Sequence, residues 1–409
     1  MEALSVSKNK PQKPSNRKFG LACAGGGIEG AVYEIGALAA LQDALDGIDF
    51  TRDIDTYVGV SAGAIITSCL ANGVSPRDLS RAILSHQADV HPIEPEIFFT
   101  PAVSEYLKRT LKVPSLLASA FSDFISKPGD TSMLGAFSGL VNALPVGLFD
   151  NGPIADYFEG NFSLPGRTND FRELGKKLRI VAVELDSGKT VRFGDKGWDH
   201  IPISKAIQAS SALPAVYVPV NIEGRHFVDG VARRTVHASV ALEEGVELLF
   251  CLNPIVPLNS LESEHLQKRL KKGLVDLGLP TVLSQTFRTM IYSRMVAGLK
   301  GYDRMYPEAD IVLFEPREDD DRMFFTNIFS FSSRKETCEH AYQTTMQHLR
   351  RHFDLIEEKL ERHGVTMRRD VVFDESRSLY EEKTPETHTV GGSLRKALAS
   401  LEQTLSHIG

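Results

Sequence analysis

The stretch Tyr57-Val58-Gly59-Val60-Ser61-Ala62-Gly63-Ala64 restricts the folds open to this 409-residue chain more than any other segment. Ile54 to Val58 is β-branched and aromatic in character, and Ala62 to Leu70 supplies Ala, Ile and Leu at helical density. The segment therefore reads as strand, tight turn and helix. A serine with glycine two residues away on either side, at the point where a strand becomes a helix, has the pattern of a nucleophile elbow. The turn strains the serine backbone, and side chains at Gly59 or Gly63 would collide with the adjoining strand and helix. It also presents a hydroxyl beside a helix N-terminus, whose partial positive charge favours an oxyanion. The same five residues occur elsewhere as an ordinary turn, so the surrounding chain has to decide.

A second turn of the same kind precedes it. Phe19 to Ala24 reads as a short buried strand, followed at once by Gly25-Gly26-Gly27-Ile28-Glu29-Gly30 and a helix to about Leu45 with an apolar stripe of Ile35, Leu38, Leu41 and Leu45. G-x-G-x-x-G between strand and helix also marks dinucleotide sites, because glycine lets backbone amides approach an anion. A dinucleotide unit places an acidic residue at the end of the next strand to hold the ribose. Here that strand ends in the Ser61 turn. Two such turns on successive βα units lie side by side at the carboxyl edge of a parallel sheet, where one can supply a nucleophile and the other an oxyanion hole of backbone N–H groups.

Composition excludes several classes. A net charge of -7 argues against nucleic acid as the main partner. Cys23, Cys69, Cys251 and Cys338 are scattered through apolar patterns and read as reduced core residues without metal-ligand spacing, so neither metal nor cofactor is expected. The first 18 residues are polar and basic and lack an apolar signal core, and no run reaches the ~18 apolar residues that span a bilayer. The expectation is a cytoplasmic protein, peripheral at membranes.

In order, residues 1–18 read as a disordered basic tail and 19–363 as one α/β domain, with 75–161 as a candidate lid or helical insertion containing Ile97-Phe98-Phe99 and the Leu116 to Phe121 cluster. Leu178 to Leu185 predicts a central strand with Thr190 to Phe193 as its hairpin partner, Ile203 to Ala212 a helix, Val216 to Ile222 and Val246 to Leu252 further strands. Pro280 to Tyr302 predicts an amphipathic helix with Val282, Phe287, Met290, Ile291 and Met295 on its apolar side, and Ile311 to Phe314 another strand. Phe324, Phe325, Ile328, Phe329 and Phe331 form an aromatic cluster suited to a lipid surface or to a satellite core. Ser333 and Glu336 have capping-box spacing and open a helix to about His363. Residues 364–409 read as a charged linker and a short Leu394 to Leu405 helix, a candidate for self-association.

A serine hydroxyl needs a base. The late histidines, His265, His340, His348, His352 and His363, lie in charged helix-like segments, and only about one strand-helix unit precedes Ser61, unlike an α/β-hydrolase. Instead the order Gly25-Gly26-Gly27-Ile28-Glu29-Gly30, Gly59-Val60-Ser61-Ala62-Gly63 and Asp229-Gly230-Val231, with Ala209-Ser210-Ser211-Ala212-Leu213-Pro214 before the last, resembles the patatin-like phospholipases from about Phe19 to Pro254. The resemblance implies a three-layer α/β/α fold with a mainly parallel sheet. It also implies a Ser61–Asp229 dyad acting on lipid acyl esters and an oxyanion hole from Gly25, Gly26 and Gly27, with Gly30, Gly59, Gly63 and Gly230 shaping the turns. His226 and His237 flank Asp229. Two positions depart from the family pattern: Glu29 stands where Arg or Lys is usual, and Val231 where a small residue is common. Glu29 weakens the expectation of a strongly anionic headgroup and favours the alternative of a neutral-lipid lipase or carboxylesterase. A weakly catalytic binding module is the other alternative.

Overall fold

The computed structural model describes residues 17–84, 95–112, 114–115, 143–271, 273–324 and 331–380. The sheet is built from β1 (Phe19–Cys23), β2 (Thr56–Gly59), β3 (Lys177–Glu184), β4 (Thr190–Phe193), β5 (Val220–Ile222), β6 (Arg225–Asp229), β7 (Leu248–Leu252) and β8 (Asp310–Phe314). Around it lie α1 (Gly27–Ala44), α2 (Ala62–Ala71), α3 (Ile203–Ser210), α4 (Ala238–Glu243), α5 (Leu279–Met305) and α6 (Phe331–Arg351).

Strand order is β8-β7-β1-β2-β3-β6-β5, with β4 also on β3. The five strands from β8 to β3 run parallel, and β4, β5 and β6 are antiparallel to their neighbours. Strands buried on both faces need apolar residues at every position, and β1 and β7 have no exposed residue. Side chains alternate between two cores. Leu21, Cys23, Tyr57, Ile180 and Phe250 point to one side with α1, α2, α3 and α6, whereas Ala22, Ala24, Val58, Val181 and Cys251 point to the other with α4 and α5. This is a three-layer α/β/α arrangement.

Register positions the site. Cys23 stands opposite Gly59, so the turns leaving β1 and β2 are neighbours. Gly59 stands opposite Ile180, and Asp229 opposite Ala182. Ile180 also pairs with β4 and so does Ala182, which puts β2 and β6 on the same edge of β3. Ala182 lies two positions beyond Ile180, and Ser61 two positions beyond Gly59. Ser61 and the end of β6 therefore arrive at one level of the sheet.

Several expectations change. Val216 to Ile222 is two strands: Ala215–Tyr217 joins Gly147–Asp150 and Thr100–Pro101 in a small separate sheet, and β5 begins after Pro219, which has no N–H for a ladder. Ser333 lies inside α6, which is already helical from Phe331, and its carbonyl accepts the Thr337 hydroxyl. The helix expected to reach His363 breaks at His352 (φ -114°, ψ 25°) and resumes as Phe353–Glu361. On α5 Ile291, Met295 and Tyr302 are buried in the core with Tyr292, Val296 and Leu299 packed against it, while Val282, Phe287 and Met290 are exposed. The charged stretch beyond Val365 is not a loose linker as far as Tyr380. Thr366–Met367 pairs with Leu45–Asp46, and Val365, Met367, Val371, Val372 and Leu379 are buried. The basic tail to residue 16, the Leu116 to Phe121 cluster, residues 325–330 of the aromatic cluster and the Leu394 to Leu405 helix lie outside the described residues. No described helix is long and apolar enough to cross a membrane.

Candidate active site

Ser61 occupies a left-handed backbone conformation (φ 53°, ψ -119°) as the N-cap of α2. Such a conformation persists only where neighbours hold it. The Ser61 N–H donates to Ser210 Oγ at 2.8 Å, and the Ser210 hydroxyl donates to the Val181 carbonyl at 2.6 Å. The elbow is thereby tied to α3 and β3 through one buried hydroxyl. On the other side the Gly63 N–H donates to the Ala24 carbonyl at 2.9 Å, joining the elbow to the glycine-rich turn.

That turn lies directly against the serine. A Cβ placed on Gly25 would stand 3.1 Å from the Ser61 Cβ. Gly26 (φ 150°) and Gly27 (φ 63°) adopt backbone that other residues rarely take, and Gly26 caps α1. Amides at a helix start have no carbonyl of a preceding turn to bond, so the first-turn N–H groups at this helix start are suited to an anion. Gly30 packs on Pro254, and Gly230 lies where a Cβ would meet the Val181 carbonyl at 2.3 Å.

Asp229 ends β6 and is 1% exposed. Its Oδ1 accepts the Val231 N–H at 2.9 Å, and the Ser61 side chain faces the carboxylate and favours its ionised form. Burial pushes its pKa from 3.8 up to about 7, against the lowering effect of the Val231 N–H and the Ser61 side chain. A carboxylate is ordinarily too weak a base for an alcohol; here burial brings it close to neutrality. Val231 packs over Gly25 and does not displace the carboxylate. Neither flanking histidine reaches Asp229. His226 is exposed beside Asn221 and Asp186, and His237 is held at the Gly230 carbonyl, its pKa lowered by burial to about 4, so it is neutral.

Ser61, 7% exposed, opens with Asp229 onto a cavity of about 370 Å³. Its wall is mostly apolar, with Val32 and Ile35 of α1, Ile65 and Ile66 of α2, and Phe98 and Phe99 from the proposed insertion. Glu29, Arg334 and, from α5, Arg288 are charged exceptions besides Asp229. Among the described residues no group of His, Cys, Asp and Glu could hold a metal ion. Sequence reasoning singled out the serine, the aspartate and every turn glycine; it missed Ser210, although it noted the segment holding it, and Arg288.

A family model described as patatin-like phospholipase matches residues 21–242, more than half of the chain. Among solved structures the chain is similar to VipD from Legionella pneumophila, at 14% identity over 83% of this chain and 67% of that one, with a TM-score of 0.34. It is also similar to type III effector protein ExoU, at 15% identity over 83% of this chain and 54% of that one, with a TM-score of 0.33. The chain thus spans about half the length of ExoU.

Proposed function

The chain belongs to the patatin-like phospholipase family, and on that premise we propose that it is a serine lipid acyl hydrolase of phospholipase A or lysophospholipase type. The observation that carries the reading is Ser61, on a strained turn and facing buried Asp229, at the wall of an apolar cavity.

In this reading Ser61 Oγ attacks the ester carbonyl while Asp229 takes its proton, and the carbonyl electrons move to an oxyanion. The amides of Gly26 and Gly27, with Gly25, face that oxygen, and the α2 N-terminus adds its partial charge. The Ser61 N–H is not among the donors, since Ser210 holds it. Collapse of the tetrahedral species expels the alcohol, which takes the proton from Asp229. Water then attacks the acyl-enzyme with Asp229 again as base, and Ser61 is restored. No cofactor is required. Exposed Leu279, Leu283 and Met290 on α5, the helix that brings Ser284, Phe287 and Arg288 to the cavity, support a substrate met at a lipid surface. Set against an anionic headgroup alone, and without regard to Arg288, Glu29 in the cavity favours one second reading on the same dyad, hydrolysis of uncharged esters.

The test is fluorophosphonate labelling of the full chain together with fatty acid release from phosphatidylcholine vesicles. Labelling with release is expected. Folded protein that does neither overturns the hydrolase reading and leaves a binding module.

Ser210 provides a further check. Ser210→Ala leaves both the Ser61 N–H and the Val181 carbonyl without their partner, and each unsatisfied buried group costs about 1–3 kcal/mol. Turnover is expected to fall about tenfold to a hundredfold, mostly in kcat, with partial rescue by Ser210→Thr. An unchanged kcat would show that the elbow holds itself.

A further inference from the structure

Besides the dyad, three charged side chains border the cavity at Ser61: Glu29, Arg288 and the buried Arg334. Glu29 lies in the first turn of α1 and folds back towards Gly27, its Oε2 being 3.4 Å from where a Cβ there would stand. Arg288 arrives from α5, far later in the chain, and borders the same space. Both are half-buried. Among the described residues no ion pair joins them. The Arg288 guanidinium reaches the Val256 carbonyl at 3.4 Å and lies 5.0 Å from the centre of the Phe324 ring, while an ionised Glu29 carboxylate is favoured by its own backbone amide and by the charge of Arg288. Arg334 also borders the cavity but is buried and has a partner of its own.

Opposite charges drawn out of water without direct contact are costly to hold, and burial raises the Glu29 carboxyl and lowers the Arg288 guanidinium, each opposed by the other's charge. A ligand carrying both complementary charges relieves both. A phosphodiester bearing an amine does so: guanidinium matches phosphate oxygens, and carboxylate matches a cationic amine. An anionic headgroup without the amine meets Arg288 favourably and Glu29 unfavourably, and an uncharged ester leaves both unpaired.

We infer that Glu29 and Arg288 form a headgroup subsite for a zwitterionic phospholipid, its phosphate on Arg288 and its amine on Glu29, with the acyl ester at Ser61. This rests on the proposed hydrolase, whose cavity it shares.

Binding separates the two claims. Full-length Ser61→Ala protein is titrated calorimetrically with dihexanoyl phosphatidylcholine and dihexanoyl phosphatidylglycerol below their micellar concentrations. The choline lipid is expected to bind about tenfold tighter. Adding Glu29→Gln should bring the two affinities within about threefold, and adding Arg288→Met should weaken both lipids by about tenfold or more. Thermal unfolding confirms that each variant is folded. Equal affinity for the two lipids in the parent, or a ratio that neither substitution moves, overturns the subsite. Turnover of p-nitrophenyl butyrate by the wild-type chain, measured alongside, reports on the dyad alone, so a failed hydrolase and a failed subsite give different results.

Discussion

Replacing Asp229 with asparagine is expected to lower ester turnover by about a thousandfold or more and, at pH 8, to make the protein harder to unfold. Both effects follow from burial of one carboxyl group. Asp229 has its pKa raised from 3.8 to about 7, so it acts as a base only when ionised inside an apolar site. Wild-type kcat/KM should therefore climb with pH through about 7 and level off above it. Stability runs the other way. Between pH 3.8 and about 7 the unfolded chain releases this proton while the folded chain keeps it, so the stability present below that window is lost across it. At about 1.4 kcal/mol per pKa unit the loss amounts to a few kcal/mol. Asparagine does not ionise, yet its Oδ1 can still accept the Val231 N–H. The variant should gain those few kcal/mol over wild type at pH 8 and show little gain at pH 4. Chemical denaturation at both pH values and a pH–rate profile check this. An active Asn variant, or a wild-type profile flat from pH 5 to 9, would remove Asp229 from the mechanism.

The local pieces of this site were legible because each is set by a few adjacent residues. Glycine at 59 and 63 around Ser61, and the run from Gly25 to Gly27, announce turns that other residues fill badly, and the apolar strands before them fix where those turns lie. What joins the pieces was not legible. That Gly59 stands opposite Ile180 and Asp229 opposite Ala182 is a property of register between segments far apart in sequence. Ser210 reads as one small residue among several; only packing of α3 on β3 brings its hydroxyl between Ser61 and Val181. The raised pKa of Asp229 is likewise a matter of enclosure. Elsewhere a readable signal was passed over, since Pro219 marks the break between Ala215–Tyr217 and β5. The docking of residues 365–380 was hidden by composition: Val365, Met367, Val371 and Val372 are spaced too irregularly among charges to show a period, yet all four are buried.

The same closeness of turns should make Gly63→Ala damaging to both stability and turnover. A Cβ at position 63 would stand 2.3 Å from the Cys23 carbonyl oxygen and 2.6 Å from that of Ala24, which are backbone atoms of β1 and of the turn leaving it. Backbone cannot swing aside as a side chain can, so α2 and β1 must separate, at about 3 kcal/mol or more. Separation also stretches the 2.9 Å hydrogen bond from the Gly63 N–H to the Ala24 carbonyl, the direct tie between the Ser61 elbow and the Gly25 to Gly27 turn. A donor displaced by about 1 Å from a forming oxyanion forfeits much of its effect, so turnover should drop at least about a hundredfold even in protein that remains folded. Gly160→Ala is the matched control. It lies within the helix Gly152–Phe162, with no atom beyond its own turn of helix backbone within 4 Å of the added carbon, and should stabilise by about 0.5–1 kcal/mol through a less flexible unfolded chain. Denaturation midpoints and kcat for the two variants separate the loss of glycine freedom, common to both, from the collision peculiar to position 63. Equal effects would mean that the spacing between α2 and β1 is not what holds nucleophile and oxyanion turn in register.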